Sequence, residues 1–242
     1  MEPIMLLSAP GSAALQHACT LLRQEGFPFC DTPAKHVTHL LLPVPCLYTD
    51  EDITELLAPL PKQITVIGGN LHQRALNGYR TLDLLQDPLY LAMNARITAQ
   101  CALSVATQQL PYTFDDTEVL VIGWGRIGKC LGQLLKAVGS TVTVAARKTQ
   151  DRAALASLGY ASIDIGQIDT EKYGLILNTA PEPVLPCCPG NAVKIDLASR
   201  PGIPGEDVIH ARGLPGKLAP HSSGKLIAQR ISAYLKGKEV TV

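Results

Sequence analysis

Residues 119–128 read VLVIGWGRIG, and this stretch decides the fold. Its first four residues are apolar and of the types that favour a buried β-strand. The glycine pattern G-x-G-x-x-G follows directly, and an apolar helix is then predicted over residues 127–138. A glycine loop between a strand and a helix is typical of a nucleotide-binding βαβ unit. It predicts a doubly wound, parallel α/β domain of the Rossmann type.

Each glycine of this loop has a mechanical role. Gly123 permits the tight turn out of the strand, Gly125 lets the backbone approach a pyrophosphate, and Gly128 lets the helix pack closely on the sheet. The phosphates then rest at the helix N-terminus, where unpaired N–H groups and the helix dipole favour an anion. We therefore expect a bound dinucleotide; the alternative is a Rossmann-like domain with an empty site. The expected contacts in this loop are Gly123, Trp124, Gly125, Arg126, Ile127 and Gly128.

The end of the next predicted strand bears on which dinucleotide is bound. Residues 141–145 form that strand, and proteins that bind NAD usually place an acid after it to hold the ribose hydroxyls. Here Ala146, Arg147 and Lys148 follow instead, with Arg147 nineteen residues after Gly128. A guanidinium suits the 2′-phosphate of NADP through paired, charge-assisted hydrogen bonds. We predict NADP, with NAD as the alternative if Arg147 is only a solvated side chain.

Three later loops are predicted to open at the carboxyl edge of the same sheet, where ligands bind in such folds. They cover residues 178–181, 196–202 and 213–224, and the first two follow strands predicted at 175–177 and 193–197. Each loop alone is explained by the turn preferences of Gly, Pro, Asn and Ser. Together they favour a lined site. The further cofactor contacts predicted here are Asn178, Thr179, Ala180, Pro181, Leu197 and Ala198.

The first third of the chain alternates apolar runs with helical patterns. Strands are predicted at 4–7, 37–44 and 64–67, and helices after Ser12 and over 50–57. Strands that alternate with helices imply a parallel sheet covered on both faces. This part is therefore predicted to be a second, smaller α/β domain with a flavodoxin-like fold.

The domain organisation follows from these two patterns. Residues 1–92 are predicted to form the small domain on the substrate side, and residues 93–222 the Rossmann domain. A mostly helical segment over 87–110, stopped by Pro111, is interpreted as the bridge between them. The C-terminal segment 223–242, helical from Ser223, is predicted to pack back on the first domain.

Composition and charge exclude several classes of protein. The chain has 242 residues, 46% of them hydrophobic, and a formal net charge of zero. This composition predicts a folded core and offers no basic patch for nucleic acid or an anionic membrane. No apolar run reaches membrane-spanning length and no basic signal region starts the chain, so we expect a cytoplasmic protein. The seven cysteines, including the adjacent Cys187 and Cys188, show no metal-binding spacing, so no metal is expected.

Five segments together resemble the first of the two subunits of the dipicolinate synthase family. They are 121–128, 145–148, 178–181, 196–202 and 213–224, and the match covers the second domain and the bridging helix better than the first domain. The resemblance implies the architecture of the D-2-hydroxyacid dehydrogenases, with a substrate domain ahead of the Rossmann domain. It implies oxidation of a dihydrodipicolinate-type precursor to dipicolinate, the pyridine dicarboxylate of bacterial spores. It also implies a role in sporulation and a partner, the flavoprotein-like second subunit of the synthase.

The reaction implied by this resemblance needs groups that bind two carboxylates and accept a proton. Arg200 is the first candidate for a carboxylate clamp, because a planar guanidinium matches a carboxylate, and Lys217 is a second cation. His221 is the candidate base, because an imidazole titrates near neutral pH. Each has a plainer alternative: Arg200 could brace a loop, Lys217 could be solvated, and His221 could cap the last helix.

Two further segments enter this hypothesis. Gly68, Gly69 and Asn70 are predicted to offer backbone or amide hydrogen bonds to the substrate from the first domain. Asp196, at a predicted strand end, is expected to orient a neighbouring loop rather than to take part in chemistry.

Three functions stay open on this sequence. The first is an NADP-dependent oxidoreductase, the dehydrogenase subunit of dipicolinate synthase, acting on a small dicarboxylate. The second is another NADP-linked dehydrogenase of a small carboxylated metabolite. The third is a dinucleotide-binding subunit that senses or scaffolds without chemistry. In each case we expect a homo-oligomer.

Overall fold

The chain divides into two compact units in a computed structural model that describes residues 4–185 and 190–237. The first unit combines Met1–Asn94 with Pro215–Val242, and the second is Ala95–Leu214. The sequence placed these divisions at 92/93 and 222/223. The adjacent Cys187 and Cys188 lie outside the described residues.

The strands and helices follow one another in an alternating order. The strands are β1 (Leu6–Ser8), β2 (Phe29–Cys30), β3 (His39–Leu41), β4 (Thr65–Gly68), β5 (Arg80–Asp83), β6 (Glu118–Ile122), β7 (Thr141–Ala145), β8 (Ala161–Ile163), β9 (Leu175–Asn178), β10 (Val193–Asp196) and β11 (Val208–His210). The helices are α1 (Ala13–Gln24), α2 (Asp50–Leu57), α3 (Pro88–Gln109), α4 (Arg126–Ala137), α5 (Thr149–Ser157), α6 (Leu214–Leu218) and α7 (Pro220–Leu235). Short 3₁₀ turns lie at Arg74–Leu76, Leu84–Gln86, Ile165–Gln167 and Thr170–Lys172.

The first unit is built on a parallel sheet whose described strands run in the order β2-β1-β3-β4-β5. Local signals in the sequence fix its first helices. The Ser12 hydroxyl accepts a hydrogen bond from the Leu15 N–H at 3.3 Å and so caps α1. Thr49 and Asp52 form a reciprocal capping box at the start of α2, which has the bounds predicted from the sequence.

The last helix, α7, packs against α1 within this unit. A Cβ atom on Gly224 would lie 2.5 Å from the Ala14 carbonyl oxygen, so only glycine allows the two backbones to approach this closely. Arg230 and Asp87, both only partly exposed, form an ion pair that ties α7 to the residue preceding α3. The helix begins at Pro220, three residues before the predicted Ser223.

The second unit holds a parallel sheet whose described strands run in the order β11-β10-β9-β6-β7-β8. The chain order therefore reverses between β6 and β9, which makes the carboxyl ends of these two strands the topological switch point. Ile122 is in register with Ala145 on one side and with Asn178 on the other. Asn178 is in turn in register with Asp196. The loops that follow these residues thus leave the sheet at one edge.

Several predictions about single elements need correction. The bridging segment is one continuous helix, α3, rather than a short helix followed by a longer one after Asn94. The run at 37–44 contributes only the three residues of β3 to a strand. Residues 213–224, predicted to be a loop, contain α6 and the first turn of α7. Four strands, β2, β5, β8 and β11, were not predicted. No helix in the described ranges has the length and apolarity needed to cross a membrane.

Candidate functional site

The glycine turn after β6 is too tight for any other residue at two of its positions. Gly123 has a φ of +98°, and a Cβ there would lie 2.6 Å from the Thr179 hydroxyl oxygen. A Cβ on Gly128 would lie 2.1 Å from the Gly123 carbonyl oxygen. Helix α4 therefore starts directly against the end of β6, because neither glycine adds bulk between them.

The start of α4 offers bare backbone to the solvent. Gly125 is its N-cap residue, and no described side chain caps the helix. A Cβ built on Gly125 would meet no described heavy atom within 4 Å beyond its two chain neighbours. The first N–H groups of a helix have no partner inside it and carry the positive end of its dipole. This arrangement fits an anion, and the residues present fit the pyrophosphate of a dinucleotide.

The loop after β9 is fastened to the glycine turn. The Thr179 hydroxyl donates to the Ile122 carbonyl oxygen at 2.9 Å, and the Thr179 N–H donates to the same oxygen at 2.8 Å. These two hydrogen bonds hold the Thr179 backbone beside Gly123. The predicted residues Thr179 and Ala180 thus lie next to the glycine loop.

A buried carboxylate holds the loops after β9 and β10 together. Asp196 is 1% exposed and accepts four hydrogen bonds. Its Oδ1 accepts from the Asn178 side-chain amide at 2.9 Å and from the Ala198 N–H at 3.0 Å. Its Oδ2 accepts from the N–H groups of Gly202 at 2.7 Å and Ile203 at 3.2 Å. Asp196 therefore orients the neighbouring loop, as expected.

The predicted contacts Leu197 and Ala198 lie inside this network rather than on an open surface. They are only 7% and 4% exposed. The Leu197 N–H donates to the Asn178 carbonyl oxygen at 2.9 Å, so the backbone continues the register of the sheet by one residue. Asn178 is fully buried, and its amide oxygen accepts from the Ala180 N–H at 3.0 Å.

A cavity of about 260 Å³ opens beside the glycine turn. Its lining combines the predicted residues after β7 with the loop after β9. The lining residues are Gly123, Trp124, Ala146, Arg147, Lys148, Asp151, Ile165, Ala180, Pro181, Glu182, Pro183 and Val184. The cavity therefore brings the segments 123–124, 146–148 and 180–181 together.

The side chains of Arg147 and Glu182 meet at this cavity. Arg147 Nη1 lies 3.0 Å from Glu182 Oε2, and the two side chains are 73% and 64% exposed. The sequence analysis missed Glu182, although an acid directly after Pro181 was a visible signal. Arg152 was missed as well. Its Nη1 donates to the carbonyl oxygens of Ala146 at 2.7 Å and Arg147 at 2.9 Å, and so fixes the backbone below the cavity.

The second residue of the glycine motif, Trp124, lies partly against aromatic neighbours. Its ring contacts Tyr160 edge-on, with centroids 5.3 Å apart. Lys136 Nζ lies 3.7 Å from the centroid of the Tyr160 ring. Gly132 makes room for this group, since a Cβ there would lie 3.2 Å from Trp124 and 3.3 Å from Tyr160. Arg126 is exposed at the start of α4, and Ile127 is half-buried.

The three catalytic candidates lie in different parts of the chain. Arg200 is exposed in the loop after β10, in the second unit. Lys217 is exposed on α6, and His221 is exposed in the first turn of α7; both belong to the first unit. The His221 ring stacks on His17 of α1, with centroids 4.3 Å apart and planes 6° apart. Within the described ranges, no group of three or more His, Cys, Asp or Glu side chains is placed to hold a metal ion.

The backbone of Gly69 and Asn70 is already engaged within the first unit. The Gly69 N–H donates to the Pro43 carbonyl oxygen at 3.2 Å. The Asn70 N–H donates to Asp83 Oδ1 at 3.1 Å, and Asn70 has a φ of +63°. The prediction that these backbone groups donate to a substrate is therefore wrong for Gly69 and Asn70, because the unit's own carbonyl and carboxylate oxygens accept from them.

Comparison with known proteins tests the resemblance drawn from the motifs. No protein-family model matches the chain. The first subunit of the dipicolinate synthase of Bacillus subtilis is 28% identical over 159 residues, which are 59% of this chain. The chain is similar to this dipicolinate synthase subunit. The aligned region spans 53% of that relative, or about half its length.

Solved structures confirm the predicted fold class. The crystal structure of the same dipicolinate synthase subunit from Bacillus halodurans has a TM-score of 0.80 at 21% identity, covering 96% of this chain and 98% of that one. The D-lactate dehydrogenase of Salmonella has a TM-score of 0.61 at 14% identity, covering 97% and 98%. The chain thus shares a fold with the first subunit of dipicolinate synthase and with a D-lactate dehydrogenase, and the predicted resemblance is confirmed.

Proposed function

We propose that the chain is an NADP-dependent oxidoreductase that serves as the dehydrogenase subunit of a dipicolinate synthase. One observation carries the dinucleotide part of this proposal. The N-terminus of α4 presents uncapped backbone at Gly125, in open space, at the switch point between β6 and β9. An anion gains most from such a helix end when no side chain competes for its N–H groups.

Charge at the end of β7 supports NADP over NAD. Arg147 and Lys148 follow this strand, at the place where NAD-binding folds usually carry an acid. Arg147 lines the cavity beside the glycine turn, and its guanidinium can reach a 2′-phosphate there through paired hydrogen bonds.

The similarity to the first dipicolinate synthase subunit supports the substrate class. The proposed reaction removes a hydride and a proton from a dihydrodipicolinate ring, and aromatisation supplies the driving force. The bound nicotinamide supplies the hydride acceptor. In this proposal Arg200 and Lys217 bind the two carboxylates of the substrate, and His221 accepts the proton on its ring nitrogen. The flavoprotein-like second subunit of the synthase is the proposed partner.

The test combines the purified chain with NADP and freshly prepared dihydrodipicolinate, with and without the flavoprotein-like partner. We expect dipicolinate and NADPH to appear in equal amounts, followed by their absorbance. Arg200→Gln should raise the KM for the dicarboxylate. Arg212→Gln, which changes another exposed arginine of the same unit, is the matched control and should leave the KM unchanged. Absence of both products in both mixtures would rule out the proposed reaction.

A dinucleotide-binding subunit without chemistry is the second candidate. It is favoured by the separation of the catalytic candidates, since only Arg200 belongs to the unit that carries the glycine turn. This function predicts that NADP binds, while no dicarboxylate or 2-oxo acid is turned over with or without the flavoprotein-like partner.

A further inference from the structure

The pairing of Arg147 with Glu182 has a consequence for the choice of cofactor. Arg147 follows β7 and Glu182 follows β9, so the ion pair joins the two loops that border the cavity beside the glycine turn. We propose that Glu182 sets the cofactor preference by supplying the ribose-binding acid that the end of β7 lacks and by restraining the selection of NADP by Arg147. This inference rests on the proposed dinucleotide binding.

The position of Glu182 suits an acid that binds ribose. In folds of this type the acid accepts hydrogen bonds from the ribose hydroxyls of NAD and repels a 2′-phosphate. Here β7 ends with Ala145 and is followed by Ala146 and Arg147, so its own end offers no carboxylate. Glu182 brings a carboxylate to 3.0 Å from the Arg147 guanidinium from the other side of the cavity. The cavity thus contains both a group that binds phosphate and a group that binds hydroxyls.

The electrostatics of the pair predict a graded preference. A 2′-phosphate on Arg147 must displace the Glu182 carboxylate or lie close to a like charge. Both side chains are mostly exposed, and an exposed ion pair contributes little stability, so the exchange is inexpensive. With NAD there is no phosphate, and Glu182 can stay paired with Arg147 while its free carboxylate positions accept from hydroxyls. The wild-type chain should therefore bind both cofactors, with NADP favoured only modestly.

The loops that carry these two residues are held from below. Arg152 donates to the carbonyl oxygens of Ala146 and Arg147 and pairs with Asp164 at 2.7 Å. On the other side, the Val184 N–H donates to the Gly202 carbonyl oxygen at 2.9 Å. Because hydrogen bonds fix the backbone on both sides of the cavity, the exchange between cofactors involves the side chains. A substitution at Glu182 should therefore act on selectivity without unfolding the site.

The test measures dissociation constants for NAD and NADP in wild-type protein, Glu182→Gln and Asp169→Asn. Asp169 is the matched control, because it forms an exposed ion pair with Lys172 at 3.6 Å in the same unit but does not line the cavity. Trp124 is the only tryptophan of the sequence and lies in the glycine loop, so its fluorescence reports binding. Calorimetry gives the same constants without an optical signal.

Glu182→Gln should tighten NADP and weaken NAD, raising the ratio of the NAD to the NADP dissociation constant by about tenfold, as expected for losing one exposed charge pair and one charged acceptor. Asp169→Asn should leave the ratio within about twofold of the wild type. Arg147→Gln should move the ratio in the opposite direction. An unchanged ratio in Glu182→Gln, or equal weakening of both cofactors, would overturn this inference while leaving dinucleotide binding intact. A wild-type chain that binds neither cofactor would overturn the proposed function itself, and this inference with it.

Discussion

Two glycines of the same loop should respond to alanine in opposite ways. Gly125→Ala adds a methyl group where no described heavy atom lies within 4 Å, and the φ of −79° suits an L-residue. Alanine is a poorer N-cap than glycine, but it also lowers the entropy of the unfolded chain. These effects are of similar size and opposite sign, so the free energy of unfolding should stay within about 1 kcal/mol of the wild type.

The cofactor affinity of Gly125→Ala should nevertheless fall. The methyl group would project into the space that we assign to the pyrophosphate, so we expect a loss of at least about tenfold, or about 1.4 kcal/mol. Gly128→Ala should differ, because its Cβ would lie 2.1 Å from the Gly123 carbonyl oxygen. An ordinary C···O contact is about 3.3 Å or more, so helix and turn must separate by roughly 1 Å. Such overpacking costs about 1–3 kcal/mol of folding free energy.

Urea unfolding and cofactor titration distinguish the two variants. Gly125→Ala should keep the wild-type unfolding midpoint and lose affinity, whereas Gly128→Ala should lose both stability and affinity. Tight binding of NAD or NADP by Gly125→Ala, at wild-type strength, would show that the pyrophosphate does not rest on this backbone. A wild-type midpoint for Gly128→Ala would refute the close approach of α4 to β6.

Three further predictions concern stability. Asp196→Asn should lower the unfolding free energy by about 2–4 kcal/mol in urea, because an amide cannot accept all four hydrogen bonds; a change under 1 kcal/mol would contradict this. The hydrogen bond from the buried Lys194 lowers the pKa of Asp207 below its ordinary value of 3.8. Its stabilisation is therefore present above about pH 4 and lost as the pH falls through the lowered pKa, so Asp207→Asn should flatten the acid limb of a urea-midpoint against pH curve; an unchanged limb would refute the linkage. Gly224→Ala should destabilise the first unit by about 1–3 kcal/mol in thermal unfolding, since its Cβ would lie 2.5 Å from the Ala14 carbonyl oxygen; an unchanged melting temperature would contradict the close packing of α7 on α1.

The central strands of the second unit were predictable because they are buried on both faces. Such strands read as continuous apolar runs, as at β6, β7 and β9. The four strands that were missed, β2, β5, β8 and β11, are the edges of the two described sheets. They have two to four residues and are partly exposed, so pairing with a neighbour, rather than their own pattern, makes them strands.

The candidate site divides in the same physical way. The glycine turn was predictable, because its backbone conformation requires particular residues at fixed spacing. The ion pair between Arg147 and Glu182 was not predictable, because it joins loops 35 residues apart and depends on where two strands end. His221 showed the converse: its sequence position suggested chemistry, and the structure stacks its ring on His17.

The return of α7 to α1 affects how the chain folds during synthesis. Residues up to Asn94 leave the ribosome with the apolar face of α1 still waiting for a partner that ends at Leu235. At typical elongation rates the intervening stretch takes roughly ten seconds to translate, whereas Ala95–Leu214 can already be complete by then. The order of emergence therefore favours a middle unit that matures first and a terminal unit that closes last, with α1 as the surface that a chaperone would shield in the interval.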